Sequence, residues 1–139
     1  GGEKITIDCA VEPGLRVRGD DELIRQILIA LLENANKFSP AGAPIEVHAR
    51  KDLDEDEIVI SVIDHGEGIP SADMPHIFDR FYRGSNATTT IGSGIGLHMA
   101  RVFAASNDGR LDIDSAPNGG ACVSLRLPVL HDNQLGDNA

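Results

Sequence analysis

The sequence predicts an α/β fold in which a layer of helices covers one side of a sheet, and three observations lead there. Residues 4–11 alternate in polarity, with Ile5, Ile7, Cys9 and Val11 on one face, which is the two-residue period of a strand. From residue 23 to residue 35 the apolar positions Leu23, Ile24, Ile27, Leu28, Leu31 and Ala35 recur at helical spacing. Residues 58–63, Ile-Val-Ile-Ser-Val-Ile, are apolar on both strand faces, which suits a central strand with helices packed over one side.

Composition narrows the class. At 139 residues the chain fits one domain, large enough to bury a core without staples. Apolar residues make up 41% and charged residues 24%, values typical of a soluble globular protein, and no apolar run approaches the ~20 residues of a membrane span. The formal net charge of -10 leaves no broad basic face, which argues against nucleic acid and requires that any anionic ligand be held by a local cluster. Cys9 and Cys122 lie far apart and match no metal-ligand spacing, so they read as reduced thiols, and a cytoplasmic location fits. The chain opens on Gly1-Gly2 with neither an initiator Met nor a signal peptide, and further protein is expected upstream.

Taken in order, the first strand runs into the Pro13-Gly14 turn and a short second strand over residues 15–18, together an opening hairpin. Asp20 caps the helix, which fails near Ser39 because Pro40 disfavours a helical residue before it. Strands over 45–50 and 57–64 flank an acidic loop, 51–56, that reads as a solvated hairpin tip. Residues 69–71 start a short helical piece leading to 77–84, where Phe78, Phe81 and Tyr82 stand beside Arg80 and Arg83. Residues 85–91, Ser-Asn-Ala-Thr-Thr-Thr-Ile, are small, polar and aperiodic, as in a mobile loop. A glycine-rich stretch then opens a helix through about Ser106, with Ile95, Met99, Val102 and Phe103 expected inward. Strands near 110–115 and 121–128 turn at Asn118-Gly119, and residues 131–139 form a polar tail beyond the domain.

Three stretches carry chemistry. Asp64-His65-Gly66-Glu67-Gly68 sets a carboxylate at the end of a buried strand, followed by glycines that admit another group close to the backbone. A flat polar ring would fit such a floor; so would an ordinary Asp/Gly turn. Asn34, Lys37 and Phe38, three and four residues apart, emerge on one side of the helix end. An amide oxygen for a hard cation, an ammonium for phosphate and a ring for a base suit a Mg-nucleotide, although a polar helix end with Phe38 in the core would look the same. Gly92-Ser93-Gly94-Ile95-Gly96-Leu97 leaves backbone N–H groups free at a helix start, where the helix dipole favours phosphate. It lacks the Lys-Ser/Thr of a P-loop, and no tight strand-Gly-helix unit of a dinucleotide motif precedes it.

With these stretches in one order, the sequence resembles the catalytic ATP-binding domain of sensor histidine kinases, within the superfamily of gyrase, chaperone, histidine kinase and mismatch-repair ATPases. Residues 31–40 look like the family's N box, 64–70 its G1 box, 77–84 its F box and 92–97 its G2 box. The resemblance covers residues 5–129. It implies a two-layer α/β sandwich of the Bergerat type, three helices on a mixed sheet, with ATP held between the N-box helix, the G1 turn and a lid running from the F box to the G2 box. By that resemblance Asn34 is similar to the magnesium ligand, Lys37 to the phosphate-binding lysine and Phe38 to the usual tyrosine beside adenine. Asp64 matches the acceptor of the adenine amino group, and Gly66, Gly68 and Ile69 border the ring. Arg83 resembles the F-box arginine that reaches the γ-phosphate, with Arg80 a weaker candidate. Gly92, Gly94, Ile95, Gly96 and Leu97 correspond to the lid hinge and the triphosphate-binding backbone.

The resemblance implies an ATP-dependent protein histidine kinase module with ATP and Mg2+ as cofactors. Its partners would be a dimerisation and histidine phosphotransfer domain and a downstream response regulator, and the isolated domain would be a monomer. One position departs from the family: Ala30 stands where many members have Asn and where hydrolytic relatives have a Glu base. The alternative class is a non-catalytic nucleotide-binding or interaction module, or another ATPase of the superfamily. No histidine has the helical context of a phosphoacceptor, so the chain is not expected to phosphorylate itself.

Overall fold

A computed structural model describes residues 6–40, 42–66, 72, 74–76, 78, 96–115 and 119–131. Helix α1 (Asp21–Phe38) begins where the extended Asp20 accepts the Leu23 N–H on its side chain at 3.0 Å, satisfying one of the donors that a helix start leaves open. Asp21 and Glu22 in its first turn and Lys37 in its last complement the helix dipole. It stops at Ser39, which is extended ahead of Pro40 and whose N–H bonds the Ala35 carbonyl at 3.0 Å. Ile24, Ile27, Ala30, Leu31 and Ala35 form its buried stripe.

Strands β1 (Ile7–Val11), β2 (Ile45–Asp52), β3 (Glu57–Ile63), β4 (Arg110–Ser115) and β5 (Ala121–Pro128) form one mixed sheet in the order β1-β2-β3-β5-β4. The doubly apolar β3 is its central strand. Val62, Ile60 and Ile58 pair with Val123, Leu125 and Leu127 of β5 on the helix-covered face, while Ile63, Ser61 and Val59 pair with Cys122, Ser124 and Arg126 on the open one. Helix α2 (Leu97–Ser106) packs beside α1 over the covered face, giving two layers. Of the three helices expected, these two lie among the described residues, which otherwise hold a 3-10 turn, Met74–His76. No helix among the described residues is long and apolar enough to cross a membrane.

Two expectations fail. The opening hairpin does not form: β1 runs parallel to β2, so α1 is the crossover between them, as parallel neighbours require. Residues 15–18 instead lie along the far end of the chain. Val17 bridges Val129, Arg18 N–H bonds the Pro128 carbonyl at 3.0 Å, and Leu130 N–H bonds the Arg16 carbonyl at 3.0 Å. The Pro13-Gly14 turn, with Gly14 at φ +77, only redirects the chain toward α1. The inward face of α2 also differs. Leu97, Ala100 and Ala104 are buried, with Phe103 against the core, whereas Met99 and Val102 are exposed. The two alanines face the core because their small side chains let α2 approach its neighbours closely, and the bulkier residues are left on the far arc.

Candidate functional site

The site grows from the end of β3. Asp64 N–H continues the ladder by donating to the Ala121 carbonyl at 3.0 Å, which fixes the backbone and turns the carboxylate into the protein. Its side chain is buried, with the residue 2% exposed. Oδ1 accepts N–H groups from Gly66 at 3.1 Å and Ala121 at 3.3 Å; among the described residues no donor reaches Oδ2. Burial pushes the Asp64 carboxyl above the usual carboxylate range, and the two N–H donors and the charge of His65 pull it partly back.

Two glycines let other backbone come this close. A Cβ on Gly66 would lie 1.8 Å from the Phe38 carbonyl oxygen, so the turn after β3 sits directly against the end of α1. A Cβ on Gly120, at φ +82, would lie 2.1 Å from the Asp64 carbonyl oxygen and 3.0 Å from its Oδ1. The β4–β5 turn thus backs the carboxylate from behind. The sequence reading missed Gly120 and Ala121, treating the turn only as a turn. The signal lay in the Gly119-Gly120 doublet, one glycine beyond the Asn-Gly pair that a tight hairpin uses.

At the end of α1, Asn34 and Phe38 are half-buried and Lys37 is exposed, its Nζ 5.5 Å from the centre of the Phe38 ring. Asn34 Nδ2 is buried without a hydrogen-bond partner among the described residues. A native protein rarely tolerates such a group unless something else meets the amide. Ala30, one turn before Asn34 on the same side of the helix, is 3% exposed and part of the core.

At the start of α2, Gly96 is extended, no side-chain hydrogen bond caps the helix among the described residues, and none of their atoms lies within 4 Å of where a Cβ on Gly96 would stand. Leu97 is buried behind it. Phe78 is tied to the same helix, with His98 Nδ1 donating to its carbonyl at 3.3 Å and the Arg101 guanidinium 5.5 Å from its ring centre. The structure therefore brings together Asp64, Gly66 and the Phe38 end of α1. Gly68, Ile69, Arg80, Arg83, Gly92, Gly94, Ile95 and the loop 85–91 lie outside the described residues.

Comparison with known proteins identifies the arrangement. Residues 19–131 match the family of histidine kinase-, DNA gyrase B- and HSP90-like ATPases. The chain is 42% identical over 124 residues to the signal transduction histidine-protein kinase AfsQ2 of Streptomyces coelicolor, covering 88% of this chain and 22% of AfsQ2. It thus spans less than a quarter of that relative. Among solved structures it resembles the mycobacterial sensor histidine kinase MprB, with a TM-score of 0.77 and 29% identity over 90% of this chain and 84% of that one. Full-length ShkA in complex with AMPPNP gives a TM-score of 0.71 and 28% identity over 90% of this chain and 26% of that one. With its α/β sandwich and a buried aspartate where two turns meet a helix end, the chain belongs to the histidine kinase-, DNA gyrase B- and HSP90-like ATPase family, as an ATP-binding domain of the sensor histidine kinase type.

Proposed function

We propose that the chain binds Mg-ATP at this junction and presents the γ-phosphate to a histidine on a separate dimerisation and phosphoacceptor domain, with a response regulator taking the phosphoryl group afterwards. The observation that carries this reading is the contact of Gly66 with the Phe38 backbone, which sets the Asp64 carboxylate beside the helix end bearing Asn34 and Lys37. Asp64 accepts the adenine amino group, and the glycines and Ile69 leave room for the ring, against which Phe38 lies. Lys37 and Arg83 neutralise phosphate charge, and the backbone of residues 92–97 donates to the phosphates. Phosphoryl transfer asks a protein for positioning and charge neutralisation rather than for a covalent partner.

A magnesium ion fits the residues present. Asn34 carries a buried amide nitrogen with no partner among the described residues, and its carboxamide oxygen is the hard donor that Mg2+ takes. No group of three His, Cys, Asp or Glu among the described residues could hold a metal ion, so nucleotide oxygens and water would complete the shell. When bound, the ion would supply neutralisation of phosphate charge. Asn34 would hold it through its carboxamide oxygen, and Mg2+ binding is expected only with nucleotide.

The histidines support the need for a second domain. His48 lies on β2, His65 in the turn after β3, His76 in the 3-10 turn, His98 on α2 and His131 after β5. None stands on a helix free to dimerise. Calorimetry with ATP and GTP, followed by incubation with γ-labelled ATP alone and with a histidine-bearing domain, tests the proposal. Tight ATP binding, weak GTP binding and acid-labile label only on the added domain are expected. Equal affinity for both nucleotides, or label on this chain by itself, would overturn it.

A further inference from the structure

Strand β1 is an edge of the sheet, and every residue of it is exposed, Ile7 at 42% and Val11 at 59%. Ile7 and Cys9 stand in register with Ile45 and Val47, so with Val11 they carry the helix-side face of the sheet one strand beyond the core. The other edge, β4, is protected. Its Leu111 is buried and its Ile113 packs against the core, while Arg110, Asp112 and Asp114 alternate with them as charges that blunt an edge.

The backbone determines which groups β1 offers. Ile45 N–H donates to the Thr6 carbonyl at 2.8 Å and Glu12 N–H donates to the Ala49 carbonyl at 2.9 Å, so the even-numbered residues turn their backbone groups toward β2. Successive residues alternate, which leaves the N–H and C=O groups of Ile7, Cys9 and Val11 on the outer edge.

A second copy of β1 fits that edge in one register. Residues directly opposite in an antiparallel pair are either both bonded to each other or both not, so outward residues must meet outward residues. Centring a twofold pair on Asp8 sets Asp8 against its own copy, and centring it on Ala10 sets Asp8 against Glu12, like charges that oppose pairing. Centring it on Cys9 sets Cys9 against Cys9, Ile7 against Val11 and Asp8 against the neutral Ala10. That register uses all three outward residues and opposes no two acids.

We propose that β1 is a self-complementary interface through which two copies of the chain join their sheets edge to edge, about a twofold axis at Cys9. So short an edge buries less than the ~1,200 Å2 of a stable interface, and the net charge of -10 sets the copies against each other. The pairing is therefore weak. It forms at high concentration, or where short tethers hold two copies at an effective concentration of about 1 mM. The monomer implied by the family resemblance is its dilute state.

Sedimentation velocity of the intact chain from about 10 µM to about 1 mM tests the interface, and Ala10, exposed and set opposite Asp8 in the proposed pair, tests its register. Ala10→Lys is expected to raise the association constant about three- to tenfold, and Ala10→Asp to lower it by a similar factor. Leu53→Lys, the same change of charge at the exposed hairpin tip, is expected to stay closer to wild type than Ala10→Lys. Diamide gives a second reading on the wild type, which stands even where a variant fails to fold. Its N=N bond takes two electrons and two protons as two Cys9 thiols close to one disulfide, and opposed residues of a bonded pair lie about 5.5 Å apart at Cα, within disulfide range. Peptide mapping is expected to find Cys9 joined to Cys9 in the dimer. A monomer at every concentration, equal association by the two Ala10 variants, or a dimer linked only through Cys122 would overturn the proposal.

Discussion

At the hairpin end of β3, Glu57 shares the Arg126 guanidinium with Asp52. Arg126 Nη1 lies 3.0 Å from Asp52 Oδ2 and 3.4 Å from Glu57 Oε1, and its Nε lies 3.3 Å from Asp112 Oδ2. At the other end, Asp64 is held by two backbone N–H groups and has no cationic partner within ion-pair distance among the described residues. The two ends move their carboxylates in opposite directions. The Arg126 hydrogen bond holds Asp52 below the usual carboxylate range, whereas burial pushes Asp64 above it. One end is a cluster of paired charges; the other stores an unfavourable interaction that a ligand donating to Oδ2 can relieve.

The largest break in that contrast is expected from Gly120→Ala. The added Cβ would sit 2.1 Å from the Asp64 carbonyl oxygen, against backbone that cannot rotate aside, at a φ of +82 that L-residues avoid. Overpacking and left-handed strain together should lower stability in urea by about 2 to 4 kcal/mol. The same shift displaces Asp64, so ATP binding should be lost under conditions where the variant is folded. A folded variant with wild-type affinity would separate the β4–β5 turn from the site.

Asp64→Asn should split affinity from stability. Losing the charged acceptor should weaken ATP binding by about 1.5 to 3 kcal/mol, read by calorimetry. Its effect on the empty protein runs the other way. A carboxyl raised in the folded state contributes stability that is fully present below its unfolded value, about 3.9, and is lost as pH rises through the folded value. The amide removes that loss, so the variant should melt higher than wild type at neutral pH and lose its advantage in acid. A lower melting temperature at pH 7 would show that the native carboxylate is favourable where it lies.

How much of this was legible in the sequence follows the range over which each decision is made. The Asp20 cap and the Pro40 stop act on their own neighbours, and α1 begins and ends where those residues place it. The doubly apolar run of β3 could only be central, and it is. By contrast, the pairing of Val17 with Val129 joins the two ends of the domain, and no local pattern announces a bridge over so long a separation. The inward face of α2 was misread because bulk was taken for burial, when close packing selected Ala100 and Ala104. Asp64 was legible as a carboxylate at a strand end, but its support was not, since Gly120 and Ala121 arrive from a strand more than fifty residues later.

Asn107 sharpens what a satisfied buried polar group looks like. It is 8% exposed, its Oδ1 accepts the Asp20 N–H at 2.6 Å, and its Nδ2 donates to the Phe103 carbonyl at 2.8 Å. Both functions of the amide are used within the protein, whereas the Asn34 Nδ2 has no hydrogen-bond partner among the described residues. Asn107→Ala should lower stability by about 1 to 2 kcal/mol by denaturant melt and leave ATP affinity unchanged. A change in affinity larger than the change in stability would give the junction of the two helices a part in binding.

The smallest effect is expected at the hairpin end, and its pH slope is the mirror of the one at Asp64. Asp52→Asn removes one of three carboxylates around Arg126, and Glu57 and Asp112 keep the guanidinium paired, so the loss at neutral pH should be slight and should shrink further in salt. Its direction is nonetheless fixed. A carboxyl lowered in the folded state contributes stability that is present above its unfolded value and is lost as pH falls through the folded value. Wild type should therefore exceed Asp52→Asn slightly at neutral pH, and the two should converge in acid. The Asp64→Asn comparison should instead show the variant ahead at neutral pH. Paired thermal melts of the two variants across the acid range read both slopes in one experiment. Slopes of the same sign would mean that the two ends of β3 treat their carboxylates alike, and the reading of Asp64 as an acceptor held ready for a ligand would lose its energetic support.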